Sequence, residues 1–312
     1  MGRASYLVRT MCAYYEKITV GCRAMRRLLR YGGFFLFLGA AGQLLHPSFA
    51  GAQSQKFSHG TVALVAERSW IDPGQDFTLG LHFSLENGWH IYWVNPGDSG
   101  QPPRVAWTLP DGITAGTIEW PAPRKLGTPS IVDYGYEGDV TLLVPMRSSA
   151  NLNTKDTATV KASLRLLICK DICIPGKTEV SVELPVKMQP AQPDQAAERV
   201  FAEARSRLPQ AAPSVWKFSV SEEKDAFILM AHTGQRVAQA YFFPIEESEV
   251  QNAPQQKLTA QAAGFELTLR KSDELTKPVT RLKGVLQVSG DHFYLVDAPV
   301  THGKTAAGGP GL

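Results

Sequence analysis

The 312-residue chain is 44% hydrophobic and 20% charged, the proportions of an ordinary globular protein, and it is long enough for two domains with cores of their own. Its formal net charge of +3 comes from the first fifty residues, where seven Lys or Arg stand against Glu16 alone; taking these from the chain's 32 basic and 29 acidic residues leaves 25 and 28, a net of −3. That balance supplies no basic patch that would argue for nucleic acid as a partner.

The first segment reads as an export signal over residues 1–52. Arg23, Arg26, Arg27 and Arg30 precede a short apolar run over residues 34–45, and Ser48, Ala50 and Ala52 offer small-residue cleavage positions. The run is too short to span a bilayer comfortably. The pattern that follows is β throughout. Residues 60–69 alternate, Asp72-Pro73-Gly74 turns the chain, and residues 77–85 alternate again. Asn87-Gly88 is a strong turn, and Trp89 opens an aromatic strand through Val94 before a Gly/Pro-rich loop over residues 95–104. Further strands are expected over residues 105–109, 114–120, 140–146 and 157–168. About eight short strands at this spacing imply an all-β fold, an immunoglobulin-like antiparallel β-sandwich over residues 53–188.

Residues 189–214 read as a proline-bearing linker with a short helix, Asp194 serving as cap and Pro209 as stop. Strand patterns return over residues 216–221, 226–231, 239–244, 256–262, 264–270, 282–289 and 291–296. These outline a second, smaller β-domain over residues 215–300, followed by a Gly/Ala-rich disordered tail, 301–312.

The most informative stretch is residues 163–185, SLRLLICKDICIPGKTEVSVELP. Cys169 and Cys173 are the only cysteines after the signal segment. On one continuous strand they would lie about 13 Å apart, beyond the roughly 4.4–6.8 Å between Cα atoms that a disulfide requires. A bridge therefore needs the chain to turn back at Lys170-Asp171-Ile172, placing the cysteines opposite each other at a hairpin tip. An exported chain with a lone pair of this kind usually forms a disulfide. Two thiolates without a nearby histidine make a poor metal site, so no metal or dissociable cofactor is expected.

Cys169-Lys170-Asp171-Ile172-Cys173-Ile174-Pro175-Gly176 resembles the cysteine hairpin in the N-terminal periplasmic region of the DsbD/ScsB family of thiol:disulfide interchange proteins. Asn87-Gly88-Trp89-His90-Ile91-Tyr92-Trp93 resembles the family's aromatic strand, and Asn95-Pro96-Gly97-Asp98-Ser99-Gly100 a loop of the ScsB-like branch. Trp120-Pro121-Ala122-Pro123 with Asp133-Tyr134-Gly135-Tyr136-Glu137-Gly138 resembles the strand and cap loop ahead of the cysteines. The resemblance covers residues 55–300 or thereabouts. It implies a periplasmic domain that takes electrons from a membrane-embedded donor and passes them to oxidised protein partners through Cys169 and Cys173. It also implies a cap at residues 133–137, with Tyr134 or Tyr136 shielding the sulfurs and Asp133, His90, Tyr92, Lys170 and Asp171 surrounding them. Lys170 would favour a thiolate and Asp171 oppose it. Family members continue into a multi-helix membrane domain that has no counterpart before Leu312. A donor on a separate polypeptide, a shortened gene and a reused domain are the three readings of that difference.

Plainer readings stand beside these. The bridge can be a static staple in a periplasmic protein-binding or scaffolding module, although closing so short a loop contributes only about 2 kcal/mol. His90 can be a surface strand histidine. Trp89, Tyr92, Trp93, Trp107 and Trp120 can be sandwich core and rim, and Tyr134 and Tyr136 ordinary loop packing.

Overall fold

The computed structural model describes residues 53–302; the expected signal segment, 1–52, and positions 303–312 of the expected tail lie outside the described residues. The strands follow in chain order: β1 (Gln55–Phe57), β2 (Gly60–Ala66), β3 (Asp76–Leu85), β4 (His90–Gly97), β5 (Arg104–Thr108), β6 (Ile113–Ala115), β7 (Arg124–Thr128), β8 (Ile131–Glu137), β9 (Asp139–Ser148), β10 (Thr157–Cys169) and β11 (Cys173–Pro185). A helix, α1 (Glu198–Ser206), separates these from β12 (Gln210–Ala211), β13 (Lys217–Glu222), β14 (Ala226–His232), β15 (Ala240–Pro244), β16 (Lys257–Gln261), β17 (Gly264–Arg270), β18 (Arg281–Val288) and β19 (His292–His302).

The first eleven strands make two sheets, β1-β2-β3-β9-β6 and β11-β10-β4-β8-β7, with β5 alongside β10. Their inner faces obey the two-residue period of a strand. Val62, Leu64, Leu79, Leu81, Phe83, Leu142 and Val144 from one sheet meet Ile91, Trp93, Val132, Tyr134, Val160, Leu164, Ile168 and Val182 from the other in one buried core. This is the sandwich that the strand spacing implies. Trp93 lies in that core, whereas Trp89, Trp107 and Trp120 pack half-buried at its rim. Burying Phe201, Ala204 and Ala197 against Ala63, Val65 and Leu143 holds α1 on the outer face of the first sheet.

Strands β13 to β19 form a third sheet around their own core, which includes Phe227, Leu229, Phe242, Leu267, Leu282 and Leu286. Alternation joins this core to the sandwich. Phe242 faces the third sheet's core, while its neighbour Phe243, with Val285, lies in the sandwich core. Phe243 stands edge-on to both Trp93 and Tyr134, with ring centroids 6.4 and 5.2 Å away, a favoured aromatic arrangement.

Four local expectations change. Residues 133–137 are not a loop but most of β8, an interior strand hydrogen-bonded to β4 and β7. The strand expected over residues 114–120 shrinks to β6 and one bridge, Glu119 to Leu143, because Pro121 and Pro123 lack ladder donors. Asp194 caps the turn before the helix, its Oδ1 accepting from the Ala196 N–H, and α1 itself begins after Ala197. The final strand runs on to His302, six residues past the expected end, with Val220 to Glu222 of β13 beside it.

The loop after β15 holds a pH-sensitive group. Glu249 has its Oε2 buried without a hydrogen-bond partner among the described residues, and burial, reinforced by the nearby Glu246, pushes its carboxyl from 4.5 up to about 7. A carboxyl whose folded value exceeds its unfolded one favours the folded state while protonated, an advantage lost as pH rises from 4.5 through 7. The thermal midpoint is therefore expected to fall between pH 5 and pH 8, and Glu249→Gln to flatten that decline. A wild-type profile that the substitution leaves unchanged would refute it.

Candidate functional site

The β10–β11 hairpin has thirteen paired positions, from Thr157 opposite Pro185 to Cys169 opposite Cys173. Its tip is closed by the Lys170 N–H donating to the Ile172 carbonyl at 3.1 Å, and a disulfide joins the cysteines. The two cysteines differ in exposure. Cys169 is 2% exposed, whereas Cys173 is exposed and its neighbour Ile172 is 66% exposed.

Register explains what surrounds them. Cys169 pairs with His90 on β4, and His90 with Glu137 on β8. Positions of equal parity share a face, so Cys169, His90, Tyr92, Asp133, Gly135 and Glu137 occupy the outer face of this sheet. Tyr134 and Tyr136, one residue off, occupy the inner face. Both are buried, and their hydroxyls are engaged elsewhere: Tyr134 with Tyr241 at 3.0 Å and Tyr136 donating to the Pro121 carbonyl at 2.7 Å. The shielding expected of Tyr134 or Tyr136 is not made by their rings. The aromatic group at the sulfurs is Tyr92, whose hydroxyl donates to Cys169 Sγ at 2.9 Å and lies 3.5 Å from Cys173 Sγ.

Tyr92 is itself roofed by residues 95–100. The chain bulges between Tyr92, opposite Gly135, and Gly97, opposite Asp133. It returns so that Gly100 lies against the Tyr92 ring; a Cβ there would stand 2.1 Å from Cζ. Carboxylates pin this roof. Asp133 Oδ1 accepts from the Ser99 N–H at 3.1 Å and from its hydroxyl at 2.9 Å, and Asp98 Oδ2 accepts from the Val132 N–H at 2.8 Å. The third sheet braces it from behind. Buried Asn95 donates to the carbonyls of Pro244 and Glu246 at 2.9 and 3.2 Å, and Asn252 donates to Asp98 at 2.9 Å.

Electrostatically the site favours neutral groups. Burial raises the Tyr92 phenol, and the Asp133 carboxylate adds to the shift, so the hydroxyl stays a donor at neutral pH. Burial lowers His90 despite the opposing pull of Asp133 and Glu137, leaving a neutral imidazole edge-on to Tyr92 at 5.2 Å. At 7% exposure His90 is buried, contrary to the surface position expected of it. Burial also raises Asp133. Lys170 lies across Gly88 in the turn before β4, and Asp171 is exposed at the tip. Among the described residues no cluster of three or more His, Cys, Asp or Glu could hold a metal ion. Sequence reasoning left Ser99, Gly100 and Asn252 out of the site; the run Asn95-Pro96-Gly97-Asp98-Ser99-Gly100 carried the signal for the first two, and nothing local marked the third.

The family model described as "Thiol:disulfide interchange protein DsbD, N-terminal" matches residues 61–185. The solved N-terminal periplasmic domain of ScsB from Proteus mirabilis shares the fold, with a TM-score of 0.61 at 19% identity, over 81% of this chain and 98% of that one. The periplasmic chaperone SfaE aligns over 78% of this chain and 100% of its own at 11% identity, with a TM-score of only 0.22. No curated protein matches the chain. The family match takes in both cysteines, β4 and β8, and the fold shared with the ScsB domain extends beyond it: residues 61–185 match the N-terminal domain of DsbD.

Proposed function

We propose that this protein is a periplasmic electron carrier that exchanges disulfides with protein partners through Cys173 and Cys169, needing no dissociable cofactor. The observation that carries the reading is the asymmetry of the pair, with Cys173 exposed at a hairpin tip and Cys169 buried under a hydroxyl donor. In the oxidised protein a donor thiolate attacks Cys173 Sγ. The Cys169–Cys173 bond breaks, and Cys169 leaves as a thiolate that Tyr92 stabilises by its hydrogen bond. The donor's second thiolate then attacks its own sulfur in the mixed disulfide, releasing Cys173, so two electrons enter this protein and the donor becomes oxidised. Towards an acceptor the sequence reverses: Cys173 attacks the acceptor's disulfide, and Cys169 resolves the mixed disulfide. The donor expected by family resemblance is membrane-embedded and the acceptors are periplasmic thiol-disulfide proteins. The roof over Tyr92, rather than the rings of Tyr134 and Tyr136, serves as the cap.

The reduction potential tests this reading. Equilibration across dithiol buffers with thiols counted by alkylation is expected to give a value of about −120 to −270 mV, the range of exchange-active pairs; a value below about −300 mV would make the bridge a staple and the protein a binding or scaffolding module. Tyr92→Phe refines the test. A hydrogen bond to the charged form favours that form, so losing this one is expected to make the Cys169 thiolate harder to form. The pH profile of alkylation reads that change, and an unshifted profile would remove Tyr92 from the mechanism.

A further inference from the structure

The outer face that carries the disulfide also carries three cations in a single cross-strand row. Arg165 on β10 stands directly opposite Lys177 on β11 and directly opposite Arg104 on β5. Parity places all three on the face of Cys169 and Cys173, and all three are exposed. Directly opposed strand residues have Cβ atoms about 5 Å apart, where like charges destabilise a sheet. None of the three joins an ion pair among the described residues. The next row on the same face carries Glu179, whose carboxylate accepts from the Ser163 hydroxyl at 3.0 Å. Elsewhere Arg205 pairs with Glu67, Lys271 with Glu222 and Arg281 with Asp297.

We propose that Arg104, Arg165 and Lys177 dock an acidic segment of the protein partner that reacts at Cys173. This inference rests on the exchange reading above and adds the chemistry of the partner. The row lies four residues from Cys169 along β10, about 13 Å at 3.3 Å per residue. Between them Leu167 faces Pro175, and these residues line an open groove with Gln101, Pro102 and the three cations. An extended peptide with its cysteine at Cys173 therefore crosses a short apolar step and brings a side chain about four residues away over the row. A carboxylate there meets two guanidinium groups and an ammonium, the former suited to bidentate pairing. The apolar step between charge and sulfur fits a peptide better than a small anionic thiol, which cannot reach both.

Three probes test this on the intact protein: a cysteine peptide with Glu at the fourth and sixth positions beyond the cysteine, the same peptide with Gln at both, and glutathione. The Glu peptide is expected to reduce the Cys169–Cys173 bridge about tenfold faster than the Gln peptide at low ionic strength, as steering by complementary charge allows. That advantage is expected to vanish in R104Q/R165Q/K177Q and to shrink in about 0.5 M salt, while reduction by dithiothreitol stays unchanged. Equal rates for the two peptides, or a preference that survives the triple substitution, would overturn the proposal. So would a rate for glutathione that falls in the triple variant as much as that for the Glu peptide. If dithiothreitol alone reduces the bridge, the exchange reading fails, and docking is decided separately by fluorescence anisotropy with a Ser-for-Cys Glu peptide. Binding that the triple variant loses then supports the row as a docking site, and binding that it keeps, or none to the wild type, refutes it.

Discussion

Cys169→Ser is expected to accumulate mixed disulfides with partner proteins, whereas Cys173→Ser is expected to form none and to lose exchange altogether. Cys173 is the exposed member of the pair, so on the proposed reading it makes and breaks the intermolecular bond. Cys169, 2% exposed beneath Tyr92, is placed to resolve that bond, and without it the intermediate persists. The two substitutions should cost nearly the same stability, because each removes the same short-loop bridge, worth about 2 kcal/mol in the chain-entropy model. Their difference in trapping therefore reports the chemistry and not the fold. Non-reducing electrophoresis of each variant after incubation with periplasmic proteins makes the comparison. Trapping by Cys173→Ser instead would reverse the assigned roles, and trapping by neither would favour a structural bridge.

Gly100→Ala should open the site from the other side. Gly100 has a φ of +85°, a region that side chains rarely adopt, and an added Cβ would meet three atoms of the Tyr92 ring at 2.1, 2.3 and 2.5 Å. Because the ring is held between its strand and the roof, either Tyr92 or residues 95–100 must move, and overpacking of this kind costs about 1–3 kcal/mol. The hydroxyl then leaves Cys169, and alkylation of the reduced thiol is expected to accelerate about tenfold, as when a buried group gains a local opening worth roughly 1.4 kcal/mol. Gly138→Ala supplies the control. Its φ is +66°, yet nothing lies within 4 Å of the added atom, so it carries the backbone strain without the collision. If the two variants alkylate at the same rate, the roof does not govern access to the sulfurs.

The parts of this architecture that were legible in the sequence are those encoded within one strand or one turn. Alternation revealed most strands of both β regions, and the three-residue spacing between Cys169 and Cys173 revealed the hairpin tip. Ile131–Glu137 defeated the same reasoning. Asp133, Gly135 and Glu137 resemble turn chemistry, and the strand is buried over residues 132–136 because the sandwich core covers one face and residues 95–100 partly cover the other. Once that segment is a strand, parity sends Tyr134 and Tyr136 inward, an assignment that depends on register and not on residue type. The brace of Asn95 on Pro244 and of Asn252 on Asp98 spans about 150 positions, beyond any local pattern. The row of Arg104, Arg165 and Lys177 was equally hidden, since each cation belongs to a different strand and the net charge of −3 over the region pointed away from it.

The hairpin that presents the disulfide also forms the margin of its sheet, because β11 has β10 as its sole ladder partner among the described residues. A thirteen-residue margin of this kind invites other chains to add strands, the first step towards aggregation. Pro175 and Pro185 each withhold a backbone donor near its ends, and Lys177, Glu179 and Glu183 place charges along it. On the exchange reading proposed above, this margin keeps Cys173 accessible while discouraging permanent backbone association. Encounters at Cys173 would then end by disulfide cleavage instead of growing into a shared sheet.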